Sequence, residues 1–111
     1  MPHTAQDNEL LRKSKGYQPM KIVADMSLYP LKNEPIPTII EFIKELQGRD
    51  GIEIVTNQLG TQLSGEFEAV TGAINHCMRV AMKAPNTVVL VVKYLNIDAE
   101  IGRAPSLTPP V

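Results

Sequence analysis

Two short segments of the chain place hydroxyl, carboxylate and glycine residues at the ends of otherwise apolar stretches. Residues 26–31 read Met-Ser-Leu-Tyr-Pro-Leu, and residues 59–66 read Leu-Gly-Thr-Gln-Leu-Ser-Gly-Glu. Polar groups at strand ends can hydrogen-bond a small molecule, and glycine lets the backbone approach it closely. The sequence shows no nucleophilic pair, metal-ligand cluster or phosphate loop beside them, so the pattern favours ligand binding over catalysis.

The candidate ligand contacts come from these segments and from the strands beside them. Hydroxyl, amide and carboxylate groups can donate hydrogen bonds to a small ligand and accept them from it, and an aromatic side chain can pack against a flat ring. We therefore select six residues as candidate ligand contacts: Asp25, Ser27, Tyr29, Asn57, Thr61 and Glu66. A polar row on a strand also suits solvent or subunit contact, and Glu66 also suits a helix start. Both structural interpretations stay open at this point.

His76 and Cys77 are two further residues with catalytic potential, and they are adjacent in the sequence. Neighbouring positions on a helix point about 100° apart, so the pair is not expected to act on one group. Cys77 fits a buried helical stripe and His76 an exposed position. With His3 as the only other histidine, we expect no metal site, no bound cofactor and no enzymatic activity. A small enzyme that uses Asp25 or His76 stays open as an alternative.

Length and charge narrow the class of protein. The chain has 111 residues, 11 basic and 12 acidic side chains and a formal net charge of −1. One domain is expected, and no electrostatic feature favours a nucleic acid or an anionic membrane as partner. The longest apolar run, residues 88–92, is far shorter than the roughly 20 residues that cross a bilayer. A single cysteine and no signal-peptide pattern predict a cytoplasmic protein.

The first half of the chain predicts a strand and a helix. Residues 20–29 alternate between an apolar and a polar series, which predicts a strand that Pro30 ends. Apolar residues at helical spacing after Thr38 predict a helix that stops at Gly48. Its buried stripe is expected to consist of Ile39, Ile40, Ile43 and Leu46.

The second half predicts a hairpin, a second helix and a last strand. Residues 52–59 read as a strand, Gly60 and Thr61 as a tight turn, and residues 62–64 as the returning strand. Residues 66–82 carry an amphipathic helical pattern, and residues 87–97 are dense in strand-forming residues. The order β-α-β-β-α-β predicts an α+β ferredoxin-like plait, in which a four-stranded antiparallel sheet carries two helices on one face.

This predicted domain occupies residues 19–98, between a flexible polar leader at residues 1–18 and a proline-rich tail at residues 99–111. Its last strand is apolar on both faces, which is typical of a strand covered on both sides. Since the two helices cover one face only, we expect a second copy of the chain to cover the other. Self-association is therefore expected, with an isologous dimer as the simplest closed form.

Three motifs stand in or beside the predicted strands: Ser-Leu-Tyr-Pro-Leu at residues 27–31, Gly-Thr-Gln-Leu-Ser-Gly-Glu at residues 60–66 and Val-Lys-Tyr-Leu-Asn-Ile-Asp at residues 92–98. In these motifs the chain resembles the thiamine-binding protein family, whose members bind thiamine or its hydroxymethylpyrimidine moiety. The resemblance extends over residues 20–98. It implies a ferredoxin-like plait, assembly as dimers or tetramers, no enzymatic activity, and a vitamin held by polar residues at strand ends.

The second motif departs from the family at one position, because Ser64 stands where the family's Gly-Thr-x-x-Glu-Gly pattern has a carboxylate. No glycine loop rich in lysine or arginine is present to hold a diphosphate. We therefore expect unphosphorylated thiamine, its pyrimidine precursor or a similar heteroaromatic molecule as the ligand, in storage, sensing or salvage. The alternative is a structural or regulatory interaction module of the same fold without a vitamin ligand.

Overall fold

The computed structural model describes residues 19–108, and the predicted leader lies outside them. Four strands and two helices follow one another in the predicted order, which confirms the ferredoxin-like plait. The elements are β1 (Lys21–Pro30), α1 (Ile36–Gln47), β2 (Ile52–Asn57), β3 (Gly60–Glu66), α2 (Phe67–Ala81) and β4 (Val88–Leu95). Within the described residues, neither helix has the length and apolar character needed to span a membrane.

The sheet is antiparallel throughout, with the strand order β2-β3-β1-β4. The strand β1 is central: Met26 lies opposite Thr61 of β3, and Ser27 lies opposite Val91 of β4. Alternate residues of each strand point to opposite faces. One face is covered by both helices, and we call the other the open face.

The hydrophobic core lies between the sheet and the two helices. The apolar series of β1 faces the helices, as its period of two predicts. Removal of this apolar surface from water is the main driving force for folding. The buried core residues are Ile22, Ala24, Met26, Leu28, Phe42, Leu46, Leu63, Val70, Ala73, Ile74 and Cys77.

The buried stripe of α1 differs from the predicted one. Phe42 and Leu46 are buried, Ile39 and Ile43 are half-buried, and Ile40 is exposed. Phe42 and Leu46 are four residues apart and so share one side of the helix, which faces the sheet. The prediction that Ile40 belongs to the stripe is wrong, because four apolar residues within positions 39–43 allow more than one helical phase.

The hairpin between β2 and β3 is confirmed, but its turn lies two residues earlier than predicted. The turn consists of Gln58 and Leu59, and Asn57 lies opposite Gly60. The Oδ1 of Asn57 accepts hydrogen bonds from the N–H groups of Leu59 (2.9 Å) and Gly60 (3.1 Å). This side-chain cap is a common feature of turns that begin with asparagine. The prediction of a turn at Gly60 and Thr61 is therefore wrong.

Gly60 is required by close packing between strands. A Cβ atom at this position would lie 2.6 Å from the main-chain oxygen of Met26 and 3.0 Å from Oγ of Ser27. No side chain fits such a space without a shift of the backbone. Gly60, which the sequence pattern predicted to be part of the turn, thus allows the tip of the hairpin to approach β1.

The open face is only partly covered. A Cβ atom at Gly102 would lie 3.0 Å from Oε1 of Glu53 and 3.9 Å from Cγ2 of Val55, so the segment after β4 lies against β2 on this face. Part of the cover therefore comes from the chain itself. Four large side chains of the open face remain 39–52% exposed, and they are Tyr29, Val89, Val91 and Leu95.

Candidate functional site

A cleft of about 210 Å³ opens where the end of β1, the tip of the β2–β3 hairpin and α1 meet. The topology explains its position, because only five residues connect the end of β1 to the start of α1, so the helix starts at the same end of the sheet. Ligand cavities typically measure about 300 to 1,000 Å³ for drug-sized molecules. The cleft is smaller and suits a single ring or one moiety of a larger molecule.

One wall of the cleft is apolar. Ile39, Phe42 and Ile43 of α1 face the cleft together with Met26 and Leu28 of β1. Such a wall can cover the face of an aromatic ring, since burial of apolar and aromatic surface stabilises a bound ligand.

Four of the six predicted ligand residues line the same cleft: Ser27, Tyr29, Asn57 and Thr61. Oγ of Ser27 donates a hydrogen bond to the main-chain oxygen of Leu59 (3.2 Å). The hydroxyls of Thr56 and Thr61 lie 3.1 Å apart. A hydroxyl group can accept a hydrogen bond while it donates one, so the hydroxyls of Ser27 and Thr61 can each still form a hydrogen bond with a ligand.

Thr61 is the buried polar side chain of the described residues, at 5% exposed. It shares the helix-covered face with Leu63, and its hydroxyl pairs with Thr56. Burial of a hydroxyl is costly unless it has a hydrogen-bond partner. Tyr29 differs, since it is half exposed and lies on the open face of the sheet, opposite Val89 of β4.

Main-chain groups of Leu28 also point towards the cleft. Along an antiparallel strand, the N–H and C=O groups of successive residues point alternately to the two neighbouring strands. The closeness of Gly60 to the main-chain oxygen of Met26 places the groups of Met26, and hence those of Leu28, on the β3 side. Since β3 begins at Gly60, opposite Ser27, it has no residue opposite Leu28. An adjacent donor and acceptor are thus available beside the cleft.

Asp25 and Glu66 do not line the cleft. Asp25 lies on the open face, where its Oδ1 accepts a hydrogen bond from Nε2 of Gln62 (3.0 Å). Glu66 lies opposite Lys21 at the far end of β3, roughly 20 Å along the strand from Gly60. Glu66 is also the N-cap residue of α2, with φ −69° and ψ 146° and no side-chain cap hydrogen bond. The helix start therefore does not turn its carboxylate towards this cleft.

The side chains that line the cleft within residues 19–108 are all uncharged. A buried or half-buried charge on a ligand would therefore lack a countercharge there, and its desolvation would oppose binding. The cleft is electrostatically suited to a neutral group with hydrogen-bond donors and acceptors.

His76 and Cys77 are not brought together. Cys77 is 1% exposed in the core, where burial, reinforced by the nearby Glu45 carboxylate, raises the pKa of its thiol to about 11. His76 points outward, and its Nε2 lies 2.8 Å from Oε1 of Glu45 on α1. Cys77 contributes to the core, and His76 links the two helices at the surface.

The sequence reasoning missed the contribution of α1 to the site. The sequence pattern places Ile39 in the buried stripe of the helix, omits Phe42 from that stripe, and places Leu28 in the apolar series of the first strand. A usable signal was the short connection after β1, because it forces α1 to begin beside the end of that strand. Which of its side chains reach the cleft depends on the rotation of the helix, which the sequence pattern left ambiguous.

The sequence matches no protein-family model, and it has no significant match among curated proteins. Among solved structures, a protein from Streptococcus pneumoniae is 25% identical, with a TM-score of 0.65 over 74% of this chain and 91% of that one. A hypothetical protein from Methanocaldococcus jannascii is 22% identical, with a TM-score of 0.63 over 73% and 84%.

A third structure, described as that of a candidate thiamine biosynthesis/salvage protein from Thermotoga maritima, is 18% identical. It superposes with a TM-score of 0.59 over 77% of this chain and 89% of that one. At this identity the likeness shows a shared fold. These structures include a protein with a thiamine-related description, which agrees with the fold family that the sequence motifs resemble.

Proposed function

We propose that the protein binds unphosphorylated thiamine or a related pyrimidine-type heteroaromatic molecule in this cleft without chemical turnover, in storage, sensing or salvage. One observation carries the proposal. Four polar or aromatic residues selected from the sequence as ligand contacts, Ser27, Tyr29, Asn57 and Thr61, line a single cleft. Concave, largely apolar cavities with a few convergent polar groups are the usual places of ligand binding.

The chemistry of the walls suits an aminopyrimidine. The ring would pack between the apolar residues of α1 and the ring of Tyr29. Its amino group and ring nitrogens would find a donor and an acceptor in the main chain of Leu28, and hydroxyls in Ser27 and Thr61. An aminopyrimidine carries an amino donor next to a ring-nitrogen acceptor, so it could form two parallel hydrogen bonds with the C=O and N–H groups of Leu28.

Size and charge favour the pyrimidine moiety over a phosphorylated form. About 210 Å³ accommodates one ring with small substituents, and a diphosphate would meet no cationic side chain among the described lining residues. We therefore expect the hydroxymethylpyrimidine to bind at least as tightly as thiamine, and thiamine diphosphate to bind weakest. The thiamine-related description of the Thermotoga maritima structure supports this ligand class.

Isothermal titration calorimetry with hydroxymethylpyrimidine, thiamine and thiamine diphosphate tests the proposal. We expect saturable heat with the first two and the weakest binding for the diphosphate. No heat with either unphosphorylated compound at millimolar concentration would overturn the proposal and favour the interaction module.

The Thr61→Val variant locates the site. It keeps the volume of the side chain and removes the hydroxyl, so the affinity for the pyrimidine should fall by roughly 1 to 3 kcal/mol with little change in unfolding free energy. Thr71→Val is the matched control, because the Thr71 hydroxyl donates to the main-chain oxygen of Phe67 within α2 (2.7 Å). Equal affinities in the two variants would remove Thr61 from the site.

We further propose that the protein self-associates through the open face. The exposed apolar side chains Tyr29, Val89, Val91 and Leu95 support this proposal, because contiguous apolar surface on a small domain favours association. An isologous dimer, in which both copies use this same face, is the simplest closed arrangement. The second candidate function, an interaction module, would use the same face.

Sedimentation velocity distinguishes a dimer from a monomer. Val91→Lys places a charge in the centre of the exposed patch and should shift the protein to the monomer, because a buried unpaired charge is costly. Val80→Lys is the control, since Val80 is similarly exposed but lies on α2. A wild-type protein that stays monomeric at tens of micromolar would end this second proposal.

A further inference from the structure

A chain of side-chain hydrogen bonds on the open face links Asp25 to the wall of the cleft. Oδ1 of Asp25 accepts from Nε2 of Gln62 (3.0 Å), and Oε1 of Gln62 accepts from Nδ2 of Asn57 (3.4 Å). Oδ1 of Asn57 accepts from the N–H groups of Leu59 (2.9 Å) and Gly60 (3.1 Å). The chain crosses from β1 through β3 to β2 and ends at the turn of the hairpin.

The two ends of this chain have opposite and fixed polarity. A carboxylate only accepts hydrogen bonds, and main-chain N–H groups only donate them. The side-chain amides of Gln62 and Asn57 lie between these ends, and each has one accepting and one donating side. With both ends fixed, only one orientation of each amide makes every bond. The carboxylate also strengthens the first bond, because its acceptor is charged.

The hairpin turn at the end of this series of hydrogen bonds forms one wall of the cleft. Asn57, Leu59, Gly60 and Thr61 all line the cleft, whereas Asp25 and Gln62 do not. Asn57, Gln58 and Leu59 are exposed, and exposed turns are among the more mobile parts of a protein unless side chains hold them. The position of the wall therefore depends on the cap that Asn57 makes, and the orientation of Asn57 depends on Gln62 and Asp25.

We propose that Asp25 is a positioning residue for the ligand site, which acts through Gln62 and Asn57 to hold the hairpin turn in its binding shape. This inference rests on the proposed binding function for its effect on affinity. Its effect on the turn itself does not depend on any ligand. Asp25 was selected from the sequence as a direct ligand contact, and its position on the open face gives it this indirect role instead.

An exchange of side chains tests the fixed polarity. Asp25→Asn keeps the shape but removes the acceptor-only end, so the Gln62 amide can reverse. Asn57 stays oriented by the N–H groups of Leu59 and Gly60, and a reversed Gln62 no longer accepts its hydrogen bond. Gln62→Glu places a second carboxylate against Asp25. In the double variant Asp25→Asn/Gln62→Glu, the new amide can donate to the new carboxylate, whose second oxygen still accepts from Asn57. The double variant also keeps the formal net charge of the wild type, which is −1. Asp50→Asn, in the loop before β2, is the control for loss of a carboxylate.

The first measurement is hydrogen exchange of the Leu59 and Gly60 amides by NMR, without ligand. We expect faster exchange in each single variant, near wild-type exchange in the double variant and no change in the Asp50→Asn control. Unchanged exchange in Asp25→Asn, or no recovery in the double variant, would overturn the inference. A thermal melt of each variant checks that the whole domain is folded.

The second measurement is calorimetric titration with hydroxymethylpyrimidine. The loss of one positioning hydrogen bond should weaken binding about two- to tenfold in Asp25→Asn, with recovery in the double variant. Unchanged affinity in Asp25→Asn beside normal wild-type binding would overturn the role of Asp25 in the site. If the wild-type protein binds none of the tested compounds, the proposed function fails, and the exchange data alone then decide whether Asp25 positions the turn.

Discussion

The two faces of the sheet are made by alternate residues of the same strands, yet they differ sharply in burial. On the helix-covered face, Ala24 and Leu63 are fully buried. On the open face, Tyr29 and Val91 keep about half of their surface in water. Folding therefore depends mainly on burial at the helix-covered face, and the open face remains available for polar networks and for association.

The polar residues follow the same division. The hydrogen-bonded side chains of Asp25, Gln62 and Asn57 all lie on the open face, where solvent reduces the cost of an imperfect bond. Thr61 lies on the helix-covered face and is paired with Thr56. The cleft lies at the sheet end where both faces contribute residues, so it combines an apolar wall with a polar one.

The largest expected effect is a loss of core packing on the helix-covered face. Leu63→Ala should lower the free energy of unfolding by about 2 to 5 kcal/mol, because it removes a fully buried side chain and leaves a cavity. Val91→Ala on the open face should cost less than about 1 kcal/mol at a protein concentration that keeps the chain monomeric. Urea denaturation measures both. Equal costs would contradict the division between the faces.

An intermediate effect is expected at the strand contact beside the cleft. Gly60→Ala forces a Cβ atom to within 2.6 Å of the main-chain oxygen of Met26, so the hairpin tip must move and stability should fall by roughly 1 to 3 kcal/mol. Gly72→Ala is the matched control, because a Cβ atom there meets nothing within 4 Å. Since Gly72 lies within α2, this control should gain about 0.5 to 1 kcal/mol. A Gly60→Ala variant as stable as the wild type would show that the tip of the hairpin is loosely held.

The smallest effect concerns the Cys77 thiol beneath α2. Folding raises its pKa from 9.0 to about 11, so the unfolded chain loses this proton at lower pH than the folded one. The thiol should therefore not affect the pH dependence of stability below about pH 9, and should reduce stability as the pH rises from 9 towards 11. Denaturation curves for the wild type and Cys77→Ala at pH 8 and pH 10.5 isolate this effect by difference. An identical pH dependence in both proteins would show that Cys77 is more accessible than the structure places it.

Particular residues show how far the sequence can predict this fold. The alternation in β1 predicted that Ile22, Ala24, Met26 and Leu28 face the helices, because a strand has only two faces. It did not predict that Val23, on the open face, is also buried, at 6% exposed. In α1, apolar residues at positions 39, 40, 42 and 43 are compatible with more than one rotation of the helix about its axis. The prediction therefore placed Ile40 in the buried stripe, although Ile40 is exposed. The turn of the hairpin was misplaced because glycine is typical of turns. Gly60 instead serves a close contact with β1, a residue pair 34 positions apart in the chain.

The sequence by itself determined the order of elements, the face of β1 that enters the core and the chemical types available for a site, since these depend on local periodicity and composition. Only the tertiary structure decided that Ser27, Tyr29, Asn57 and Thr61 meet in one cleft. It also decided that Glu66 lies at the other end of β3 and that the Asp25 carboxylate pairs with Gln62 on the open face. The physical reason is that strand register and helix rotation are set by packing between distant segments, which no local pattern encodes.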